Sequence, residues 1–124
     1  MWIFTTDGFF SVSQHSKKPN SVMIKARNRA HLERFVDWVK AGWDHELLIE
    51  ENQQWDYVVR VGCLKTIWGQ YLDHRLMEID YTRNVKGHIM EATDPELGHA
   101  MLDIWERMVA YQVEIHPGSA QDVA

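Results

Sequence analysis

The sequence predicts an α+β domain: a three-stranded antiparallel sheet with helices packed on one face, in the order β-β-α-β-α-α. Three observations predict it. Residues Met1 to Val12 are dominated by aromatic and β-branched side chains, the composition of a strand. Residues 21–27 and 55–61 alternate with the period of two expected of half-buried strands. Three further segments place apolar residues at the spacing of amphipathic helices. A ferredoxin-like variant lacking or replacing its last strand accommodates this order, with one sheet face left open unless another chain covers it.

The first strand, over 2–15, carries a defect at Asp7-Gly8. Asp-Gly can form a type I′ hairpin turn, or Gly8 can mark a bulge in one long strand. The bulge is favoured, because four-residue arms make a marginal hairpin on their own. Ser16 to Asn20 is a corner set by Pro19 and Asn20. In the strand that follows, Val22, Ile24 and Ala26 face one side, and Met23, Lys25 and Arg27 the other.

Asn28 is placed to cap a helix over 29–41, with Leu32, Phe35, Val36 and Val39 as its buried face and Gly42 as its stop. Trp43 to Gln54 is irregular, with Leu47-Leu48-Ile49 as a short turn or strand between acidic flanks. The third strand, 55–61, sets Tyr57, Val59 and Val61 against Asp56, Val58 and Arg60. A second helix over 63–78 buries Leu64, Ile67, Trp68, Tyr71, Leu72 and the stem of Arg75, with Ile79 closing the stripe. Residues 80–90 read as a connector, with a helical turn at Arg83 to Lys86.

Thr93-Asp94-Pro95-Glu96 is a helix start: Thr93 or Asp94 as cap, Pro95 in the first turn and Glu96 three residues after Thr93. That helix runs to Glu114, with Leu97, Met101, Ile104, Trp105, Met108 and Gln112 along one side. His116-Pro117-Gly118 ends it. The expected organisation is one domain over 1–116 and a tail over 117–124.

Length and composition bound the function. The 124 residues are 45% hydrophobic and 25% charged, ordinary globular values that exclude a disordered chain. A net charge of −5 argues against a general binder of phosphate backbones. Cys63 is the single cysteine, which excludes an internal disulfide and an all-cysteine zinc site. The opening lacks the basic and unbroken apolar regions of a signal peptide, and no run reaches the ~18 apolar residues of a bilayer span. A cytoplasmic protein with no membrane partner is expected.

The opening Met-Trp-Ile-Phe-Thr-Thr-Asp-Gly-Phe-Phe-Ser-Val resembles the start of a group of small uncharacterised bacterial and phage proteins. The likeness continues at Ala26-Arg27-Asn28-Arg29, at Asp56 to Arg60, and at Ile79-Asp80-Tyr81 with Asn84-Val85-Lys86. It returns at His99 and Trp105. Asp7 stands where the group often has an apolar residue, and the segment after Tyr81 is one residue longer. The resemblance implies a bacterial or phage origin and carries no catalytic residue or activity.

Candidate chemistry is sparse. Glu96 and His99 have the spacing of a metal-ligating helix pair, but such sites need further carboxylates from other helices, so no metal or cofactor is expected. Asp80, Tyr81, His74 and His99 are the groups from which a small enzyme or metal site would be built. Cys63 lacks a motif for nucleophilic work and reads as a small residue beginning a helix. The favoured reading is a non-enzymatic protein-binding, adaptor or regulatory module, phage-encoded and host-interacting by the resemblance, with a protein partner or a second copy of itself. Its binding residues are Met23, Lys25, Arg27, Val58 and Arg60 on the open sheet face, joined by Trp2 and Phe4 or by Phe9. Trp43 and Trp55, bracketing an acidic loop, are the second candidate surface. Single-stranded nucleic acid on the basic and aromatic sheet face is a further alternative, disfavoured by net charge.

Overall fold

The computed structural model describes residues 1–80 and 94–120, and the chain divides into two compact units, residues 1–80 and 81–124. The first unit contains β1 (Trp2–Thr5), β2 (Gly8–Gln14), β3 (Ser21–Ala26), α1 (Arg29–Trp43), β4 (Glu50–Glu51), β5 (Val59–Leu64) and α2 (Lys65–Met77). The second contains α3 (Pro95–Ile115). The α+β class holds, but the sheet has five strands rather than three, in the order β1-β2-β3-β5-β4 with every neighbouring pair antiparallel.

Two features account for the extra strands. The opening block is a hairpin and not one bulged strand: Thr5 pairs with Gly8, Phe4 with Phe9 and Ile3 with Phe10. Its turn is centred on Thr6-Asp7, neither of which has positive φ, so it is not the type I′ Asp-Gly turn either. The four-residue arm survives because β2 is itself paired to β3, which removes the marginality of an isolated hairpin. The other addition, β4, is two glutamates with no strand propensity, recruited at the edge by pairing with β5. β3 and β4 both run antiparallel to β5 between them, so they are parallel to each other across α1, a split β-α-β unit.

The inner face of the sheet carries Phe10 and Val12, Val22, Ile24 and Ala26, and Val59, Val61 and Cys63, the alternation that the strand period dictates. Leu32, Phe35 and Val39 of α1 and Ile67, Trp68 and Tyr71 of α2 close this core. Its centre is aromatic. Tyr71 meets Phe35 edge-on at 4.9 Å, Trp38 at 5.4 Å and Phe10 at 6.3 Å, and stacks on Trp68 at 5.1 Å. Such side chains each stabilise the fold by roughly 1.5–3 kcal/mol through burial, with a further ~0.5–1.5 kcal/mol for a well-placed ring pair.

The helix boundaries differ from expectation in instructive ways. Asn28 caps α1 as read, accepting the Ala30 amide at 2.9 Å. The helix runs past Gly42, however, and ends where Asp44 adopts the left-handed conformation and its amide reaches the Lys40 carbonyl. β5 starts at Val59 and extends to Leu64, because the preceding residues close a loop in which the Asn52 amide donates to Val58 O at 2.9 Å. α2 therefore begins at Lys65, and Leu64 and Ile79, expected in the core, are 50% and 52% exposed. Leu47 is buried in an irregular segment while its neighbour Leu48 is 80% exposed. In the second unit Asp94 is the cap of α3, accepting the Leu97 amide at 3.0 Å, with Pro95 in the first turn. Of the connector expected over 80–90, all but Asp80, including its turn at Arg83 to Lys86, lies outside the described residues, as does Thr93.

Gly8 is packed directly against α1. Its φ is +153°, and a Cβ there would fall under 3.0 Å from Cγ, Cβ and Nδ1 of His31. Gly8→Ala is expected to destabilise the protein by about 2–4 kcal/mol, combining overpacking with backbone strain. Gly69→Ala, on an exposed turn of α2 with nothing near its Cβ, is expected to be neutral or stabilising by up to about 1 kcal/mol. Urea denaturation of the two variants tests the contrast.

Candidate functional site

The hairpin settles which aromatic side chains leave the core. Because Phe4 pairs with Phe9, both point away from the helices, while Phe10 points in. Phe4 and Phe9 stack at 4.7 Å, and Trp2 meets Phe9 edge-on at 6.0 Å. Trp2 is 74% exposed. Across the same face the register runs from Trp2 to Ser11, from Ser11 to Lys25, from Lys25 to Arg60, and from Arg60 to Glu50. Met23 lies in the next row, opposite Ser13 and Gly62. Of the predicted surface, Met23, Lys25 and Arg60 therefore share one face with Trp2, Phe4 and Phe9.

Arg27 and Arg60 are held by rings and carboxylates rather than left free. The Arg27 guanidinium lies 4.0 Å above the Tyr57 ring, donates to the Asp56 carbonyl at 2.8 Å and pairs with the Asp56 carboxylate at 3.2 Å. The Arg60 guanidinium lies 3.9 Å above the Trp55 ring. Its Nε is 3.5 Å from Glu50 Oε1, close enough for Coulomb attraction and not aligned as a hydrogen bond. Lys25 has no ion-pair partner among the described residues. Val58 does not join this surface; it packs against the core from the loop before β5.

Trp43 and Trp55 occupy different settings. Trp43 is the last residue of α1 and 40% exposed. Trp55 lies in the 52–58 loop under Arg60. Its partner is the sheet, and no contact joins it to Trp43 among the described residues.

The ionisable groups considered for catalysis are dispersed. His74 pairs with Glu78 at 2.9 Å on the solvent side of α2 and sits 5.7 Å from the Trp38 ring. Asp80 is exposed, and Tyr81 lies outside the described residues. His99 belongs to α3 in the other unit. Among the described residues, no three His, Cys, Asp or Glu side chains come together as metal ligands. Cys63 is buried, and desolvation pushes its thiol from the ordinary 9.0 up to about 12, so it is protonated near neutrality.

The polar centre that composition and spacing did not single out is at the hairpin turn. The Asp7 amide donates to Thr5 Oγ1 at 3.1 Å, and Tyr71 OH donates to Asp7 Oδ2 at 2.7 Å. Since the tyrosine proton is committed to Asp7, the 2.9 Å contact between Thr5 and Tyr71 has Thr5 as donor. The three residues form a closed ring of hydrogen bonds. Arg75 completes it with Nε and Nη2 at 2.9 and 2.8 Å from the same Asp7 oxygen. Arg34 donates to the Asp7 carbonyl at 2.8 Å, and His31 Nδ1 accepts the Phe9 amide at 3.3 Å. Nη1 of Arg75 pairs in addition with Glu78 in the next turn, so the group is a clamp between the hairpin and α2. The only sequence signal for it was Asp7 itself, a carboxylate amid apolar residues.

No family model, no curated protein and no solved structure matches this chain.

Two predictions follow the chemistry of the clamp. Asp7→Asn is expected to cost about 1–3 kcal/mol, because it removes the carboxylate that accepts from both Tyr71 and Arg75 and leaves Arg75 with Glu78 as its remaining counter-charge; pairing it with Arg75→Met should cost less than the sum of the single changes. A double-mutant cycle in urea measures both. Burial, reinforced by the Asp7 carboxylate, also raises the Tyr71 phenol above its ordinary 10.0. The folded state thus holds the Cys63 and Tyr71 protons more tightly than the unfolded chain does. The Cys63 contribution is complete below an ordinary thiol value of 9.0 and is lost as pH climbs toward about 12, and the Tyr71 contribution begins to fall only above 10.0. Urea midpoints should fall over that alkaline range, and less steeply in Tyr71→Phe.

Proposed function

We propose that the protein is a non-enzymatic binding module that engages a protein partner through the outer face of its sheet. Its framework is read as a ferredoxin-like variant in which β2 takes the position of the last strand beside the split β-α-β unit. The observation that carries the reading is the cluster of Trp2, Phe4 and Phe9 on the same sheet face as Met23, Lys25 and Arg60, with Arg27 just past the end of β3. Exposed tryptophan and arginines pre-ordered by stacking are the side chains that dominate binding energy at protein interfaces, since little rotamer entropy remains to be lost. An adaptor or regulatory role follows from binding without chemistry, in keeping with a host-directed phage or bacterial protein.

Single-stranded nucleic acid is the second reading, favoured by aromatics interleaved with basic groups. The pairing of Arg27 with Asp56 and of Arg60 with Glu50 weighs against it, because phosphates would have to displace those carboxylates. The enzyme reading on Asp80, Tyr81, His74 and His99 has less support, with His74 already committed to Glu78.

The test compares wild type with Trp2→Ala and Lys25→Glu, both at surface positions expected to leave folding unchanged. Affinity capture with wild type should retain a stoichiometric protein that both variants lose, each weakening binding by about tenfold or more. Equal capture by all three forms rules out the face. A fluorescence titration with a labelled oligothymidylate at low salt decides the alternative: salt-sensitive binding would replace the protein reading with the nucleic-acid one.

A further inference from the structure

The last helix presents an exposed apolar stripe and belongs to the second unit. Along α3, Leu97, Met101, Ile104, Met108, Tyr111 and Ile115 succeed one another at alternating steps of four and three residues. That is a heptad period of 3.5, the repeat of a helix that packs along another helix, and narrower than the stripe of a helix seated on a broad core. The first part of the stripe is covered: Met101 is 6% exposed. The rest is open, with Ile104 47%, Met108 55%, Tyr111 50% and Ile115 51% exposed. Four large apolar side chains in one line toward solvent amount to a seam without its other half.

We propose that this seam is completed by α3 of a second copy of the chain, running antiparallel about a two-fold axis between Met108 and Tyr111. The exposed residues are self-complementary in that arrangement, and no other antiparallel register uses all four. Ile104 layers against the partner's Ile115, Met108 against the partner's Tyr111, and the two-fold repeats both contacts, as an isologous interface requires. The flanking charges agree. Arg107 and Glu114 are seven residues apart on the same edge of the seam, where they approach within 3.8 Å along their own helix. The antiparallel two-fold places Arg107 beside the partner's Glu114 and repeats the pair by symmetry. A parallel pairing sets that edge against Trp105 and Gln112, with no charge to meet. Partner choice and direction in paired helices are set by such flanking charges. Four layers make a small interface, so the dimer is a weak one that forms reversibly with concentration.

Sedimentation velocity of the full chain across a concentration series tests the proposal. Wild type is expected to pass from monomer to dimer. Met108→Lys and Ile115→Lys, at exposed positions, should each raise the dissociation constant by about tenfold or more while circular dichroism stays unchanged. Arg107→Glu and Glu114→Arg should each weaken the dimer, and the double variant should restore it. Trp2→Ala and Lys25→Glu should leave the dimer intact, which separates this surface from the sheet face and keeps the outcome independent of the proposed function. A chain monomeric at every concentration overturns the proposal, as does a dimer indifferent to Met108→Lys. A dimer that is sensitive to Met108→Lys and blind to the single charge reversals overturns the antiparallel arrangement.

Discussion

The Asp7 carboxylate is the contact on which the first unit depends. It joins the turn of the first hairpin to two residues of α2, sixty-four and sixty-eight positions further on. The closed ring through Thr5 and Tyr71 uses every proton it contains, and a fully satisfied buried network specifies one geometry where a greasy contact tolerates several. Gly8 lies one residue away against His31, so the turn is fixed from the helix side as well. Moving this hinge by one residue would invert every side chain of β1. Phe4 would then turn inward and Ile3 outward, and the aromatic cluster on the outer face would not exist.

The outer face shows how a chain of net negative charge can display arginines. Arg27 and Arg60 each lie over a ring and beside a carboxylate. Exposed ion pairs of this kind contribute little stability, of the order of 0–1 kcal/mol. Their larger effect is to hold two long side chains in one orientation. Asp56 and Glu50 leave Lys25 as the local source of net positive charge, so the face combines apolar area with directional donors and a weak field.

Local features were legible in the sequence where they are self-contained. The Asn28 and Asp94 caps, Pro95 in the first turn, the inward triplet Val22, Ile24 and Ala26, and the buried stripe of α1 all follow from residue type and spacing. What could not be read depends on partners distant in the chain. Glu50 and Glu51 become a strand only because β5 has an edge to share. The Asp7-Gly8 pair satisfied both a turn and a bulge on local grounds, and it was β3 and α2 that decided for the turn. Gly42 is a stronger stop signal than Asp44 by composition, yet the helix continues until its last carbonyls find the Asp44 amide. The candidate surface was legible by alternation for Met23, Lys25 and Arg60; Val58 was misplaced because the residues before Val59 belong to a closed loop and not to the strand.

The two borders of the sheet are unlike. β4 offers two residues, both glutamate, and each carboxylate is tied back to an arginine of its own chain. So short and acidic a border gives an incoming strand almost no ladder to follow. β1 has four residues, no charged side chain, and the exposed Trp2 as its first member. The two borders therefore differ in what they offer to backbone pairing, the β1 side being the longer and the uncharged one. A sheet with so short and acidic a border is poorly suited to stacking edge to edge, a form of protection that the two glutamates supply.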